Sequence, residues 1–210
     1  MSCPQGTHPG AWRTVGSDEI LHTARAMLLR PAGKRAYPDV MKTDAIEIRL
    51  ARPDDAGAIA AVHDAAWRNA YRGIIPGREL ERMVERRGAR WWHNAIERKT
   101  RIVVLSFGGK ITGYATYGRN RAGSLPYQGE IFELYVQPEY QGLGLGKRLF
   151  SAVRRDLAGH EVKSIVVWAL SDNPKACNFY RALGGQPVDA TVETFGDTTL
   201  QKIAFGWPVT

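Results

Sequence analysis

The first regular pattern in the chain is an alternation of apolar and polar residues over 46–50, which is typical of a strand with one buried face. Apolar residues then recur at helical spacing from 56 to about 70 and again over 78–98. Gly88 is a weak point in the second of these segments, because glycine destabilises a helix interior. The pattern therefore predicts one strand followed by two helices.

The middle of the chain alternates as strands do. Segments 101–106 and 110–117 flank Gly108-Gly109, a dipeptide that readily adopts the positive φ angles of a tight turn, so we expect an antiparallel hairpin. Segment 130–136 is a further strand, which the following proline ends. The remaining predicted elements are a helix over 143–159, a strand over 164–170 that is buried on both faces, a helix over 174–183 and a closing hairpin of strands over 187–193 and 198–205.

These elements predict an α/β fold with the order β-α-α-β-β-β-α-β-α-β-β, in which helices flank a central mixed sheet. We place this domain at 45–207 and expect residues 1–44, rich in proline and glycine, to be a poorly structured extension. Met41 directly precedes the domain, so a second interpretation is that translation begins there. Both interpretations stay open at this point.

Composition narrows the class of protein. With 210 residues, 44% of them hydrophobic, the chain can bury the core of one globular domain. Its formal charge of +8 comes from dispersed lysines and arginines, which indicates a solvated basic surface or attraction for a polyanionic ligand. Cys3 and Cys177 are far apart and lack metal-site spacing, so we expect no disulfide framework and no metal, and a cytoplasmic location. The sequence lacks an apolar run long enough for a membrane span.

The segment 141–148 reads Gln-Gly-Leu-Gly-Leu-Gly-Lys-Arg and lies between a predicted strand and a predicted helix. Unpaired backbone N–H groups and the positive end of the helix dipole meet at such a point, which binds anions. A Walker A loop would need Ser or Thr at Arg148, and a dinucleotide fingerprint would need glycine at Lys147. Neither of these phosphate motifs is present.

The arrangement Gln-x-x-Gly-x-Gly after a strand ending in Leu-x-Val-x-Pro resembles the GNAT acetyltransferase family, and the resemblance runs from about residue 46 to 205. A second element, Asn-x-x-Ala-x-x-Phe-Tyr-x-x-x-Gly, follows at the spacing of that family. The residues that match are Gln141, Gly144 and Gly146 in the first motif and Asn173, Ala176, Phe179, Tyr180 and Gly184 in the second.

The resemblance implies that the chain binds acetyl-CoA as its cosubstrate. Backbone groups of the glycine-rich loop would hold the pyrophosphate, and the strand before it would pair with the pantetheine arm. Asn173 would contact the coenzyme arm or serve only as a helix N-cap. The implied coenzyme-binding residues are Leu134, Tyr135, Val136, Gln141, Gly142, Leu143, Gly144, Leu145, Gly146, Lys147, Asn173 and Tyr180.

The reaction needs an acid for the departing thiolate and a neutral attacking amine. Tyr180 matches the tyrosine that the family places beside the sulfur, and its unperturbed pKa of about 10 leaves it protonated at neutral pH. Glu130 and Glu133 are candidates for the base, and strand alternation predicts that they face opposite sides of the sheet. Surface roles for both, with deprotonation by solvent, remain an alternative.

The resemblance places the acceptor amine under the segment 67–76. Trp67 and Tyr71 are its candidate acceptor-binding residues, although one-turn spacing also suits core packing. His63 and His93 receive no role here, and Cys177 is expected to be a small buried hydrophobe.

The predicted function is acetyl transfer from acetyl-CoA to a primary amine of a small molecule, a protein N-terminus or a lysine. A non-catalytic acyl-CoA sensor is the alternative. Nucleic-acid binding ranks last, since a basic stripe interleaved with aromatic residues is missing, and no membrane partner is expected. A homodimer is compatible with the resemblance. Acceptor identity, acyl chain length and the base stay open.

Overall fold

The computed structural model describes residues 46–209, so the predicted extension at 1–44 lies outside the described residues. Two single-turn 3-10 helices, Pro53–Asp55 and Pro138–Tyr140, lead into helices or loops. The strands and α-helices are β1 Ile46–Leu50, α1 Ala56–Tyr71, α2 Gly77–Arg86, α3 Ala89–Glu97, β2 Ile102–Phe107, β3 Lys110–Arg119, β4 Gly129–Val136, α4 Leu145–Ala158, β5 Ile165–Leu170, α5 Pro174–Ala182, β6 Gln186–Phe195 and β7 Thr198–Trp207.

The seven strands within residues 46–209 form one sheet with the order β1-β2-β3-β4-β5-β7-β6. The β4–β5 pair is parallel and every other neighbouring pair is antiparallel. The predicted mixed sheet is therefore confirmed, and so is the hairpin at Gly108-Gly109, where both glycines have positive φ angles of 59° and 81°.

The helix predicted over 78–98 is wrong as one element, because the structure has two helices there, α2 and α3. The backbone N–H of Arg87 bonds to the carbonyl of Val84 and closes α2, and Gly88 is extended at φ −68° and ψ 174°. Apart from proline, glycine has the lowest helix propensity of all residues. The helix is therefore interrupted at the residue of the segment that favours it least.

Helices cover both faces of the sheet. One face packs α4 and α5 through a large core cluster, with Leu149 and Val153 of α4 fully buried. The other face packs α1 and α3, through Ile59 of α1 and Trp92 of α3, both of which have no exposed surface. The sheet therefore holds a separate core on each side.

At one point in the pairing of β3 with β4, strand β4 has one residue more than β3. Tyr117 pairs with Ile131 and Thr116 with Glu133, which leaves Phe132 as the extra residue of a β-bulge. Beyond the bulge, β4 also separates from β5, because the parallel pairing covers only Gly129 to Ile131. The second half of β4 consequently has a free edge that faces a cleft.

Candidate active site

A cavity of ≈ 700 Å³ lies in the cleft where β4 and β5 separate. Its walls come from the second half of β4, the glycine-rich loop, α5 and the end of α1. Of the predicted coenzyme-binding residues, those in the wall are Leu134, Tyr135, Val136, Gln141, Gly142, Gly144, Gly146, Lys147, Asn173 and Tyr180.

The side chains of Leu143 and Leu145 are not part of the cavity wall. Leu145 is 2% exposed and packs in the core on the α4 face, whereas Leu143 is 59% exposed. Any contact that these two residues make with a coenzyme would thus come from their backbone groups.

The glycines of the loop are needed for two different reasons, positive φ angles and the close approach of two helices. Gly142 and Gly144 have positive φ angles of 82° and 76°, a conformation that a Cβ disfavours. A Cβ on Gly146 would lie 3.2 Å from Cε2 of Phe179, so this glycine allows α4 to approach α5 closely. Gly144 is the N-cap of α4 and offers no side chain to the first helical turn, whose N–H groups stay available to an anion.

Gln141 holds the loop in place. Its Nε2 donates a hydrogen bond of 2.8 Å to the carbonyl of Val136, the last residue of β4. Its Oε1 accepts a hydrogen bond from Nζ of Lys175, at the start of α5. One side chain therefore joins the strand, the loop and the helix that enclose the cavity.

Asn173 is the N-cap of α5. Its Oδ1 accepts a hydrogen bond of 3.0 Å from the backbone N–H of Ala176, as an N-cap does. The same residue forms part of the cavity wall. Its capping role is thus visible in the structure, and the coenzyme contact stays a prediction.

Tyr180 projects from α5 into the core and is 6% exposed, with its side chain in the cavity wall. Its ring packs against Phe179 and Phe205, at centroid distances of 5.2 and 5.9 Å. Burial raises the pKa of the Tyr180 hydroxyl well above its ordinary value of 10.0. Among residues 46–209 this hydroxyl makes no hydrogen bond, so it is a protonated donor available to a ligand.

Glu130 and Glu133 face the same side of the sheet, which corrects the prediction that they point to opposite sides. Their neighbours Ile131 and Leu134 both pack in the core on the α4 face, so the two carboxylates project from the other face. The physical reason is the bulge at Phe132, which adds one residue and resets the alternation.

The two carboxylates have different partners. Oε1 of Glu133 accepts a hydrogen bond of 2.6 Å from Arg87, and its Oε2 accepts one of 3.2 Å from the hydroxyl of Tyr114. Glu130 is bound by Arg121 through Nη2 at 2.9 Å and through the backbone N–H at 3.0 Å. Neither carboxylate is part of the cavity wall.

Trp67 and Tyr71 stand behind the cavity wall. The Tyr71 hydroxyl lies 2.8 Å from the hydroxyl of Tyr135, which is a wall residue, and the rings of Trp67 and Tyr71 are 5.1 Å apart. The structure thus shows the packing arrangement. Acceptor binding by these two residues remains a prediction.

His63 belongs to the same aromatic group. Its Nδ1 lies 2.8 Å from the Tyr114 hydroxyl, its Nε2 is buried without a partner, and its ring centroid is 4.9 Å from that of Trp67. Burial, followed by the charge of Arg87, lowers the pKa of His63 to about 3. The imidazole is therefore neutral near pH 7.

Sequence reasoning missed Arg87, Tyr114 and Lys175 as neighbours of the site. Arg87 did leave a signal, since it continues the helical spacing of the buried Leu80 and Val84 where an apolar residue is usual. Tyr114 left none, because an aromatic residue within a buried strand is ordinary.

Within 46–209, no helix is both long enough and apolar enough to cross a bilayer. Over the same residues, His, Cys, Asp and Glu side chains do not gather into a group that could hold a metal ion.

Comparison with known proteins gives a match to one family. The model of the Acetyltransferase (GNAT) family matches residues 59–184. The uncharacterized N-acetyltransferase YuaI of Bacillus subtilis is 28% identical over 163 residues, which are 78% of this chain and 93% of YuaI.

Two solved structures have the same fold. The paia N-acetyltransferase from Thermoplasma acidophilum, in complex with coenzyme A, aligns with a TM-score of 0.62 and 20% identity over 75% of this chain and 98% of its own. The yncA protein from Salmonella typhimurium, with its cofactor acetyl-CoA, aligns with a TM-score of 0.59 and 22% identity over 80% of this chain and 95% of its own.

Proposed function

Because the chain belongs to the acetyltransferase (GNAT) family, it is an acetyl-CoA-dependent N-acetyltransferase, and we propose that its acceptor is a primary amine that attacks the acetyl group directly. The amine belongs to a small molecule, a protein N-terminus or a lysine. The cavity of ≈ 700 Å³ carries the proposal, since it brings the free edge of β4, the glycine-rich loop and Tyr180 to one place.

The cavity suits coenzyme A at both of its ends. The loop over 141–147 would receive the pyrophosphate on the N–H groups that open α4, because Gly142 and Gly144 leave the approach free of side chains. Lys147 and Lys175 add positive charge to the wall. The free edge of β4 at Leu134 to Val136 would pair with the amide groups of the pantetheine arm as an added strand does.

Bound acetyl-CoA supplies an acetyl thioester, whose C–S bond is exchanged for a C–N bond to the acceptor nitrogen. An acceptor that arrives as an ammonium ion loses two protons overall: one is released when the neutral amine forms, and the second balances the proton that the sulfur receives. Tyr180 would donate the proton to sulfur. Its hydroxyl is protonated because burial raises its pKa, and it has no competing partner in the described part of the chain.

Glu133 is the better supported of the two candidate bases. Burial raises the pKa of its carboxyl above the ordinary value, against the opposing charge of Arg87, and this moves it toward the range in which a base works at neutral pH. Glu130 is bound by three donor groups of Arg121, so its lone pairs are largely used in a contact between β4 and the loop before it. We therefore assign proton removal from the amine to Glu133, through an intervening water because Glu133 is not in the cavity wall.

The acceptor would approach from the side of α1. Asn69, Ala70 and Ile74 form that part of the cavity wall, and Tyr135 faces it from β4. Trp67 and Tyr71 would act on the acceptor through Tyr135, whose hydroxyl is bonded to that of Tyr71.

Thiol release from acetyl-CoA tests this function. The purified chain is mixed with acetyl-CoA and a panel of polyamines, aminoglycosides and peptides with a free N-terminus or lysine, and free thiol is measured with and without each amine. Thiol release that depends on one class of amine, with the acetylated amine found by mass spectrometry, is the expected result. Binding of acetyl-CoA without turnover on any amine would contradict the proposal and favour a sensor.

A further inference from the structure

Arg87 and Glu133 form an ion pair on the face of the sheet that α1 and α3 cover. Arg87 follows α2 and continues the spacing of Leu80 and Val84, the buried residues of that helix, so its side chain extends from the inner face toward the sheet. There Nη1 lies 2.6 Å from Oε1 of Glu133, and the two side chains are only 32% and 9% exposed. The pair is thus mostly removed from water.

Two tryptophans hold the guanidinium. Its Cζ atom lies 4.3 Å from the ring centre of Trp91 and 5.7 Å from that of Trp92, both near the start of α3. Cation–π contacts of this kind favour a charged guanidinium over the ring face. Because the helical segment is interrupted at Gly88, α3 begins at Ala89, two residues after Arg87, and brings these rings within reach of it. The carboxylate of Glu133 and the two tryptophan rings together therefore restrain the guanidinium group of Arg87.

The groups around Glu133 act on it in opposite directions. Burial raises the pKa of its carboxyl, and the charge of Arg87, the hydrogen bonds from Tyr114 and Arg87, and the charge of Arg121 oppose that rise in decreasing order. His63, from α1, reaches Glu133 only through the Tyr114 hydroxyl and is neutral. Arg87 is consequently the main charge that favours the carboxylate.

Two further titratable groups near this pair are the hydroxyls of Tyr71 and Tyr135, and Glu130 on the same face is paired with Arg121. Burial raises the pKa of both hydroxyls, that of Tyr71 to about 12, so neither carries a charge near pH 7. Because they are uncharged, these hydroxyls cannot replace the positive charge that Glu133 loses when Arg87 is substituted.

We propose that Arg87 is a positioning residue for acetyl transfer, which keeps the carboxylate of Glu133 ionised and holds its Oε1. Oε2, which accepts only the longer hydrogen bond of 3.2 Å from the Tyr114 hydroxyl, is then the oxygen that takes up the proton. The proposal rests on the proposed role of Glu133 as the base. Without Arg87, burial would raise the pKa of the Glu133 carboxyl further, so that a smaller fraction of it would be ionised and able to act as a base.

The pH dependence of kcat/KM tests this role, because a residue that only stabilises the fold would lower the rate equally at every pH. One amine acceptor is used throughout with wild type, Arg87→Met, Arg87→Lys, Arg121→Met and Glu133→Gln. Arg121→Met is the matched control, since Arg121 binds Glu130 on the same face of β4 with an Nη2 to Oε1 distance of 2.9 Å.

Arg87→Met is expected to move the acid limb of the profile to higher pH by about one pH unit or more. On the acid side of the limb, kcat/KM should then fall by about tenfold relative to wild type. At high pH, kcat/KM should recover toward the wild-type value. Arg87→Lys keeps the charge but not the planar fork, so a smaller shift is expected. Arg121→Met should move the limb less than Arg87→Met does, because the charge of Arg121 is the weakest of the influences that lower the pKa of Glu133. A limb that moves in Arg121→Met and stays in the Arg87 variants would overturn the proposal, as would a rate loss of the same factor at every pH.

If Arg87→Met does not fold, Arg87→Lys decides alone, and an unmoved limb in it counts against the proposal. Glu133→Gln separates this inference from the function on which it rests. An inactive Glu133→Gln with an unmoved limb in the Arg87 variants removes only the role of Arg87. A Glu133→Gln variant with the wild-type rate removes the base and the role of Arg87 together, while acetyl transfer by wild type still stands.

Discussion

The hydroxyl oxygens of Tyr71 and Tyr135 lie 2.8 Å apart and join the last turn of α1 to the second half of β4. Tyr135 is part of the cavity wall, whereas Tyr71 and its neighbour Trp67 stand behind it. The relationship gives the first helix of the domain a direct contact with the strand that would bind the pantetheine arm.

Replacing Tyr71 by Phe should lower the free energy of unfolding by about 1 kcal/mol, because the partly buried hydroxyl of Tyr135 loses its partner. The affinity for acetyl-CoA should stay the same. Urea denaturation measures the first quantity and calorimetry the second. Tyr140→Phe is the control, since the Tyr140 ring packs on Phe107 and its hydroxyl makes no hydrogen bond among residues 46–209. Equal stability of the two variants would contradict the role of the contact.

Replacing Tyr180 by Phe should lower kcat by about a hundredfold or more and leave the dissociation constant of acetyl-CoA nearly unchanged, because the ring keeps its packing and only the proton donor is lost. Steady-state rates and calorimetry on the same preparation check the two parts. A variant that turns over at the wild-type rate would end the role of Tyr180 as the acid.

The wild-type pH profile should show no loss of rate from Tyr180 below about pH 10. Burial raises the pKa of this hydroxyl, so the protonated form that donates to sulfur persists to higher pH than it would in a free tyrosine. A basic limb below that pH that disappears in Tyr180→Phe would show that the hydroxyl ionises too early for this account.

His63 should make stability depend on pH on the acid side of neutrality. Its pKa is about 3 in the folded chain and about 6.5 when unfolded, so between these values the unfolded chain binds the extra proton. Stability is lost as the pH falls below about 6.5, by up to about 1.4 kcal/mol per pH unit.

Urea denaturation of wild type, His63→Asn and the exposed control His93→Asn between about pH 4.5 and 7.5 measures this slope. His63→Asn should have the shallower dependence, because it removes the titrating group, and His93→Asn should follow wild type. Equal slopes in all three proteins would contradict a neutral, buried His63.

The positions of the strands along the chain and the glycine-rich loop could be predicted from sequence because their signals are local. Alternation marks the strands, and glycines that need positive φ, as at Gly142 and Gly144, can hardly be replaced. The bulge at Phe132 could not be predicted, since one extra residue in a strand needs no special amino acid and resets every side chain that follows. The prediction that Glu130 and Glu133 face opposite sides of the sheet was wrong because of that single residue.

The partners of the site were harder to predict than its loop. Arg87 and Glu133 are 46 residues apart, and only the break at Gly88 and the packing of α2 on the sheet bring them together. The cavity walls are equally hard to predict from sequence, because the cleft opens where the pairing of β4 with β5 ends at Ile131, and no residue pattern marks that point. Such relationships depend on tertiary packing, which no short pattern records.

Gly144 gives the most direct test of the coenzyme site. Gly144→Asp places a carboxylate at the N-cap of α4 beside the predicted pyrophosphate position, and it also strains a residue whose φ is 76°. Gly109→Asp is the matched control, because Gly109 has a φ of 81°, has open space around a Cβ and lies in the hairpin turn between β2 and β3. Both variants therefore carry the same backbone strain, and only one adds charge at the loop.

The decisive measurement is a calorimetric titration of acetyl-CoA into wild type, Gly144→Asp and Gly109→Asp. Binding to wild type and to Gly109→Asp, together with its loss in a folded Gly144→Asp, is the result that this account predicts. Unchanged affinity in Gly144→Asp, or no binding to wild type, would contradict the claim that the loop over 141–147 holds the coenzyme.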